Sequence, residues 1–270
     1  MQEDEALDLL TRLTLEPVGA LPQASNLTVL VDLTDAHGRP TGHRAVYKPV
    51  RGERPLHDFP SGTLASREVA AYLLSRAGGF DLVPPTVLRE GPFGPGSVQW
   101  WVEQDEERLA DPSAGLVDVF PADALPEQGW LAVVTGEDED GTPFVIAHAD
   151  DPRLRSMALL DVLINNADRK AAHLTLDREG RLRGFDHGVC LHEEDKLRSV
   201  LWGWAGDPLT ETDRAATGAV RSAVQELPAL AGMLSAAELS ALDDRCAAVL
   251  EADALPLPPP GRYPLPWPLW

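Results

Sequence analysis

The chain has 270 residues, enough for one large domain or two smaller units, and its 44% hydrophobic and 24% charged residues are ordinary for a globular protein. Its 43 acidic side chains outnumber the 23 basic ones, which gives a net charge of −20 at pH 7. Such a surface repels nucleic-acid phosphates and anionic lipid, so we expect neither nucleic acid nor a stable membrane association among its partners. The acidic start MQEDEALDLL, the lack of a long apolar run and two widely spaced cysteines favour a reduced, cytoplasmic protein.

The first hundred residues predict a small α+β unit. Its β-rich and helical runs are, in chain order, LTVLVDL (27–33), RAVYK (44–48), the helical LASREVAAYLLSRA (64–77), TVLRE (86–90) and SVQWWVE (97–103). Turn-forming residues separate the strands of each pair, so we expect two hairpins, with Lys48 near the end of the second strand. The helix should end at Gly78-Gly79, a usual helix terminator.

Helices dominate the prediction for the following part of the chain. The polar stretch 104–115 is typical of a linker, and a helix should begin at Asp151-Pro152, with the aspartate as cap and the proline at the first helical position. Two further helices are expected at 211–227 and 235–252. We therefore expect one unit at 1–105 and a mostly helical unit at 106–254.

The stretch 255–270, LPLPPPGRYPLPWPLW, contains seven prolines and cannot form a helix or a central strand. We expect an extended tail that its Trp and Leu side chains hold against the helical unit. A polyproline ligand for a partner protein is the alternative. Trp202 and Trp204, in LWGWAGDP, are interpreted as core anchors, with a substrate platform as the alternative.

The most informative stretch is NNADRKAAHLTLDREGRLRGFDHG, residues 165–188, which places Asp168 and Asp186 on the two sides of a predicted hairpin. Phosphoryl transfer needs one carboxylate to orient the attacking hydroxyl and another to hold a divalent cation. It also needs a cation on the phosphates, held by an acidic partner. Lys48 and Glu68 have the right residue types and order for that pair, and His173 lies where a polar metal ligand is expected.

At these residues the chain resembles a known family. The stretch NNADRKAAH…GFDHG resembles the catalytic and metal-binding segments of the phosphatidylinositol 3-/4-kinase-like superfamily, and bacterial HipA-like serine kinases share its loop style. The chain is more closely similar to an actinobacterial phosphatidylinositol-kinase-like family, over roughly residues 10–205. The stretches SNLTVLVDL, AVYKPVRGERPLHDFPSGTLASREVAAYLLS, GPFGPGSVQWW and NNADRKAAHL carry that similarity.

The resemblance implies a two-lobed α+β kinase-like fold, with a small β-rich lobe, a mostly helical lobe, and ATP with Mg²⁺ or Mn²⁺ in the cleft between them. It assigns phosphate binding to Lys48, its acidic partner to Glu68, the catalytic carboxylate to Asp168, and metal binding to Asp186 and His173. Further nucleotide contacts are implied at Ser25 and Asn26 for the phosphates and at Trp101, Val102 and Glu103 for adenine.

The chain departs from the family pattern at three places: it has no GxGxxG in the phosphate loop, Lys170 replaces a frequent histidine, and His173 replaces an asparagine. We therefore predict an ATP- and metal-dependent phosphotransferase acting on a protein hydroxyl or a soluble small molecule. A nucleotide-binding pseudokinase with a regulatory role and an AMP-transferring enzyme are the alternatives. A zinc site formed by His173, His187, Cys190 and His192 is a further alternative, weighed against simple burial of the cysteine.

Overall fold

The computed structural model describes residues 2–21, 25–104, 108 and 110–270, which form an α+β fold with antiparallel sheets. The helices of this part are α1 (Glu3–Arg12), α2 (Leu64–Ala77), α3 (Pro152–Leu163), α4 (Glu211–Glu226), α5 (Pro228–Ala231) and α6 (Ala236–Ala252). The strands are β1 (Thr14–Ala20), β2 (Val29–Thr34), β3 (Pro40–Pro49), β4 (Thr86–Gly91), β5 (Gly94–Trp100), β6 (Val117–Pro121), β7 (Trp130–Glu137), β8 (Pro143–Ala149), β9 (Leu174–Leu176) and β10 (Leu182–Gly184).

A five-stranded antiparallel sheet, in the order β1-β2-β3-β5-β4, contains both predicted hairpins. Alternate residues of β3 face opposite sides of this sheet. Tyr47 lies in a buried apolar cluster with Leu10 of α1, which covers one face. Lys48 points to the other face, where α2 packs against β4 and β5. Gly96 of β5 is required beside Lys48, because a Cβ there would lie 2.5 Å from the Lys48 carbonyl oxygen.

Helix α2 has the bounds that the sequence predicts. It ends at Gly78-Gly79, where Gly79 adopts a left-handed conformation with φ of 69° that glycine takes without strain. Its residues Ala70, Ala71, Tyr72 and Leu74 belong to a large apolar cluster that also contains side chains of α3, α4 and α6. The helix therefore joins the five-stranded sheet to the part of the chain that follows residue 150.

The prediction of a mostly helical second unit is wrong in its first part, where β6, β8 and β7 form a three-stranded antiparallel sheet. Only β8 carries a continuous buried run, Val145–His148, whereas β7 has no fully buried residue. The sequences of β6, VDVFP, and β7, WLAVVTGE, are rich in apolar and β-branched residues, so a strand signal was present that the prediction missed. Beyond them, α3 begins as predicted, with the Asp151 side chain accepting from the Arg153 amide.

The helices α4 and α6 are confirmed, each with a capping box at its start. The hairpin predicted after Asp168 is confirmed as β9 and β10. Trp202 and Trp204 are buried, which confirms the core-anchor interpretation. None of the helices in the described ranges is long and apolar enough to cross a bilayer.

The Pro-rich stretch packs on the molecule as predicted, although its leucines contribute more than its tryptophans. Leu265 is buried in a cluster with Leu197 and Trp202, and Leu269 packs against the same cluster. Trp267, in contrast, is 80% exposed.

Candidate active site

Seven of the predicted site residues line one cleft of about 290 Å³, close to the lower limit of about 300 Å³ for small-molecule sites. They are Ser25, Asn26, Lys48, Glu68, Asp168, His173 and Asp186. These residues come from the loop before β2, from β3, from α2, and from the two loops that flank the β9–β10 hairpin. Residues that are far apart in the sequence thus meet in one place.

Lys48 is the cation at the centre of the cleft. Its Nζ lies 2.5 Å from Glu68 Oε1 and also donates to the Asp186 carboxylate. Burial alone would lower the pKa of Lys48, but the carboxylates of Asp186 and Glu68 outweigh burial and raise that pKa above its ordinary value. The ammonium is therefore charged at neutral pH and fixed between two carboxylates.

Glu68 connects α2 to the loop that follows β10. Its side chain is 5% exposed, and Oε2 accepts a hydrogen bond of 3.1 Å from the backbone amide of His187. The preceding residue, Asp186, adopts a left-handed conformation with φ of 55°, which costs free energy for a non-glycine residue. This turn directs the Asp186 carboxylate toward Lys48, and the Lys48 ammonium holds the pKa of Asp186 well below its usual range.

Asp168 lies in the loop between α3 and β9. Its amide donates to Asn166 Oδ1 at 3.0 Å, and its Oδ2 lies 3.3 Å from Lys170 Nζ. Burial raises the pKa of Asp168, and the Lys170 ammonium offsets this only in part. A carboxylate with a raised pKa accepts a proton more readily, as a general base requires.

Arg169 fixes the loops of Asp168 and Asp186 relative to each other, and sequence reasoning missed it. The guanidinium is fully buried and forms hydrogen bonds of 2.8 and 2.9 Å with Asp161 of α3. It also donates to the backbone carbonyl of Phe185 at 3.1 Å and lies 2.6 Å from His187 Nε2. An aspartate inside the apolar helix LRSMALLDVLIN was the available signal, because a buried charge requires a partner.

His173 contacts the Oδ2 atom of Asp186, whereas Lys48 contacts Oδ1. Its Nε2 lies 3.4 Å from Asp186 Oδ2, its side chain is 14% exposed, and its Nδ1 is buried without a hydrogen-bond partner. Burial lowers the pKa of His173 to about 4. The ring is therefore neutral at pH 7 and can offer a nitrogen lone pair.

The histidines and the cysteine of the alternative zinc site do not converge. The Sγ of Cys190 lies 3.8 Å from the Arg67 carbonyl, and His192 packs edge-on against Phe59. His187 Nε2 is taken up by Arg169. Within the described ranges, no cluster of three or more His, Cys, Asp or Glu side chains could hold a metal ion. The geometry therefore gives the zinc alternative no support.

A further cation, Arg54, lines the cleft beside the loop at Ser25 and Asn26. Asn26 Oδ1 accepts from the Arg54 amide at 2.8 Å, which ties the two segments together. Lys48 and Lys170 are both paired with carboxylates, whereas the Arg54 guanidinium has no ion-pair partner among the described residues. An anionic ligand in the cleft would therefore find this cation free.

The structure does not bring the three predicted adenine contacts to the cleft. Trp101, Val102 and Glu103 line a separate cavity of about 500 Å³, so the contact of adenine with these residues stays a prediction. The sheet face that carries Lys48 continues instead through Val46, which pairs with Leu30 across β2 and β3. Both side chains are apolar and partly exposed.

Comparison with known proteins adds one relative with a substantial match. No family model matches the chain. Protein Rv2133c of Mycobacterium tuberculosis is 48% identical over 259 residues, which cover 94% of this chain and 91% of that protein. Identity of this extent over nearly the whole of both chains requires a common fold and a common origin. The chain belongs to the family of Protein Rv2133c.

Proposed function

We propose that the chain is an ATP-dependent phosphotransferase of phosphatidylinositol-kinase-like fold, in which the five-stranded sheet with α1 and α2 forms one lobe and the part after the linker forms the other. One observation carries the proposal: Lys48 is held by Glu68 beside Asp186, in the cleft that also contains Asp168. A charged lysine fixed by a glutamate, with two carboxylates on neighbouring loops, supplies the parts that phosphoryl transfer needs.

The side chains of the cleft fit a divalent cation. Asp186 would hold it, with His173 as a second ligand, and the cation would neutralise charge on the phosphates. Mg²⁺ is commonly bound by one or two carboxylates together with substrate phosphates, so a small protein ligand set suffices. The carboxylates of the cleft, at Glu53, Glu68, Asp168 and Asp186, outnumber its cations, at Lys48, Arg54 and Lys170. A triphosphate would therefore be repelled unless additional positive charge accompanies it.

The residues at the candidate site then have distinct tasks. Lys48 would bind the phosphates, and Glu68 would keep its ammonium in place. Asp168 would orient the acceptor hydroxyl and accept its proton, which its raised pKa favours. Arg169 would keep Asp168 at a fixed distance from the loop of Asp186, because preorganised geometry lowers the barrier to reaction.

The acceptor that we propose is a protein hydroxyl or a soluble small molecule. The net charge of −20 disfavours approach to an anionic lipid surface, which normally requires clusters of lysine and arginine. An exposed hydroxyl on a partner or a metabolite carries no such requirement.

Labelled ATP tests the proposal directly. The purified chain should release or transfer label from the γ position, and not from the α position, in the presence of Mg²⁺ or Mn²⁺. Both metals belong in the assay, since an imidazole ligand suits Mn²⁺ better than Mg²⁺. Transfer of the α label instead would show AMP transfer on the same fold. Failure of ATP to bind with either metal would contradict the assignment of the cleft.

A nucleotide-binding pseudokinase is the second candidate, and a specific observation favours it. Both carboxylates that chemistry would use are engaged by lysines: Asp168 by Lys170 and Asp186 by Lys48. His173 also replaces the asparagine that the family pattern has at the metal. Tight nucleotide binding without turnover of either label would support this candidate.

A further inference from the structure

The Pro-rich segment 255–270 reaches into the loop of the candidate active site. The carbonyl of Leu269 accepts a hydrogen bond of 2.9 Å from the amide of Ala171. Ala171 is fully buried and lies between Asp168 and His173. The partner of this buried amide is thus supplied by a segment about a hundred residues further along the chain.

A second contact of the segment supports the same loop through an intermediate layer. The Pro264 carbonyl accepts from the Ser199 amide and from Trp202 Nε1, each at 3.0 Å. The residues on both sides of Ser199 are in turn hydrogen-bonded to the backbone of Arg169. The Arg169 amide donates to the Arg198 carbonyl at 3.0 Å, and the Arg169 carbonyl accepts from the Val200 amide at 3.2 Å. The loop, residues 198–200 and the Pro-rich segment are therefore stacked in that order.

Composition explains why a proline-rich segment suits this place. Its seven prolines have no amide hydrogen, so the segment offers carbonyl acceptors to buried donors while it brings few donors that need partners of their own. Proline also restricts the backbone to extended conformations, so less entropy is lost when the segment docks. Leu265, which is 3% exposed, anchors it against Leu197 and Trp202.

We infer that the Pro-rich segment positions the loop of Asp168 for catalysis, as a built-in strap that fixes the Ala171 amide and, through it, the spacing of Asp168 and His173. This inference rests on the proposed phosphotransferase function. It assigns the segment a task in the reaction instead of the binding of a partner protein.

The test compares two leucine-to-aspartate variants of the full chain. Leu265→Asp removes the anchor, whereas Leu257→Asp places the same charge on a side chain of the same segment that is 70% exposed. Amide hydrogen exchange of residues 168–173 is measured alongside kcat and KM for ATP. In Leu265→Asp we expect exchange in that loop to accelerate at least about tenfold, kcat to fall about tenfold and KM to stay within about twofold, where tenfold corresponds to about 1.4 kcal/mol. Leu257→Asp should match the wild type in exchange and kinetics. Leu265→Met, which keeps an apolar side chain at the anchor position, should also match it.

Three results would overturn the inference. Unchanged exchange at 168–173 in Leu265→Asp would show that the segment does not hold the loop. Equal acceleration across the whole chain would show that it supports the fold in general. Faster exchange with unchanged kcat would show that the order of this loop does not affect turnover. If the wild type itself turns over no ATP, the proposed function fails, while the exchange comparison still decides whether the segment holds the loop.

Discussion

Replacing His173 by asparagine tests whether this imidazole is buried and neutral in the folded protein, as its proposed role as a metal ligand requires. The pKa of His173 is about 4 in the folded protein, because burial disfavours the charged ring, and the ordinary value is about 6.5. Between these two values the unfolded chain binds a proton at this position that the folded chain does not. The folded state therefore loses stability as the pH falls from about 6.5 to about 4, by at most about 3 kcal/mol, at about 1.4 kcal/mol per pH unit.

The measurement is the free energy of unfolding in urea at about pH 7 and about pH 4.5, for the wild type and for His173→Asn. Other groups that titrate in this range contribute equally to both proteins, so the difference between the two acid losses isolates His173. We expect the wild type to lose about 2–3 kcal/mol more than the variant on acidification. His37→Asn, a change of the same type at an exposed turn, serves as the control and should behave as the wild type. Equal losses in His173→Asn and the wild type would refute the burial argument.

Three further predictions concern the cleft. Mg²⁺- or Mn²⁺-ATP should raise the melting temperature, since a ligand bound by the native state alone stabilises it, and Lys48→Ala should remove most of the shift in a thermal denaturation assay. Asp168→Asn should abolish release of the γ label with nucleotide binding preserved, whereas Asp186→Asn should weaken metal-nucleotide binding itself; equal loss of binding in both would contradict the division of roles. Arg54→Ala should weaken ATP binding about tenfold or more in calorimetry, because a charge-assisted hydrogen bond contributes about 1.5–3 kcal/mol. Arg51, whose guanidinium lies over Phe93, provides the control, and Arg51→Ala should change the affinity for ATP less than about twofold.

The local signals in the sequence were sufficient for much of the first sheet. Alternating apolar runs identified β2, β3, β4 and β5, and the Gly78-Gly79 pair fixed the end of α2. Strand β1 was missed because six of its seven residues are exposed and it contains Pro17 and Gly19, so it has the composition of a loop. Helix α1 was missed although its acidic first turn and the apolar face that buries Ala6 and Leu10 are both signals of a helix.

The site residues that follow a recognisable order of residue types along the chain could be predicted from the sequence. The contacts that depend on how the chain packs could not. Lys48, Glu68 and Asp186 follow a fixed order of residue types, and the structure brings them into contact. The pairing of Arg169 with Asp161 depends on how the loop turns back on α3, which the sequence does not show. The orientation of residues 101–103 likewise depends on how the chain leaves β5.

The pairing of charges in the cleft couples the binding of phosphate to the binding of a cation. Lys48 is the shared partner of Glu68 and Asp186, so one positive charge is already engaged by two carboxylates at this point without a ligand. An anionic group that takes the Lys48 ammonium leaves the Asp186 carboxylate without its main partner, and an uncompensated charge in a partly buried site is costly. A cation delivered to Asp186 together with the phosphates removes that cost. The proposed phosphotransferase function therefore predicts that the metal-nucleotide complex binds more tightly than the nucleotide alone.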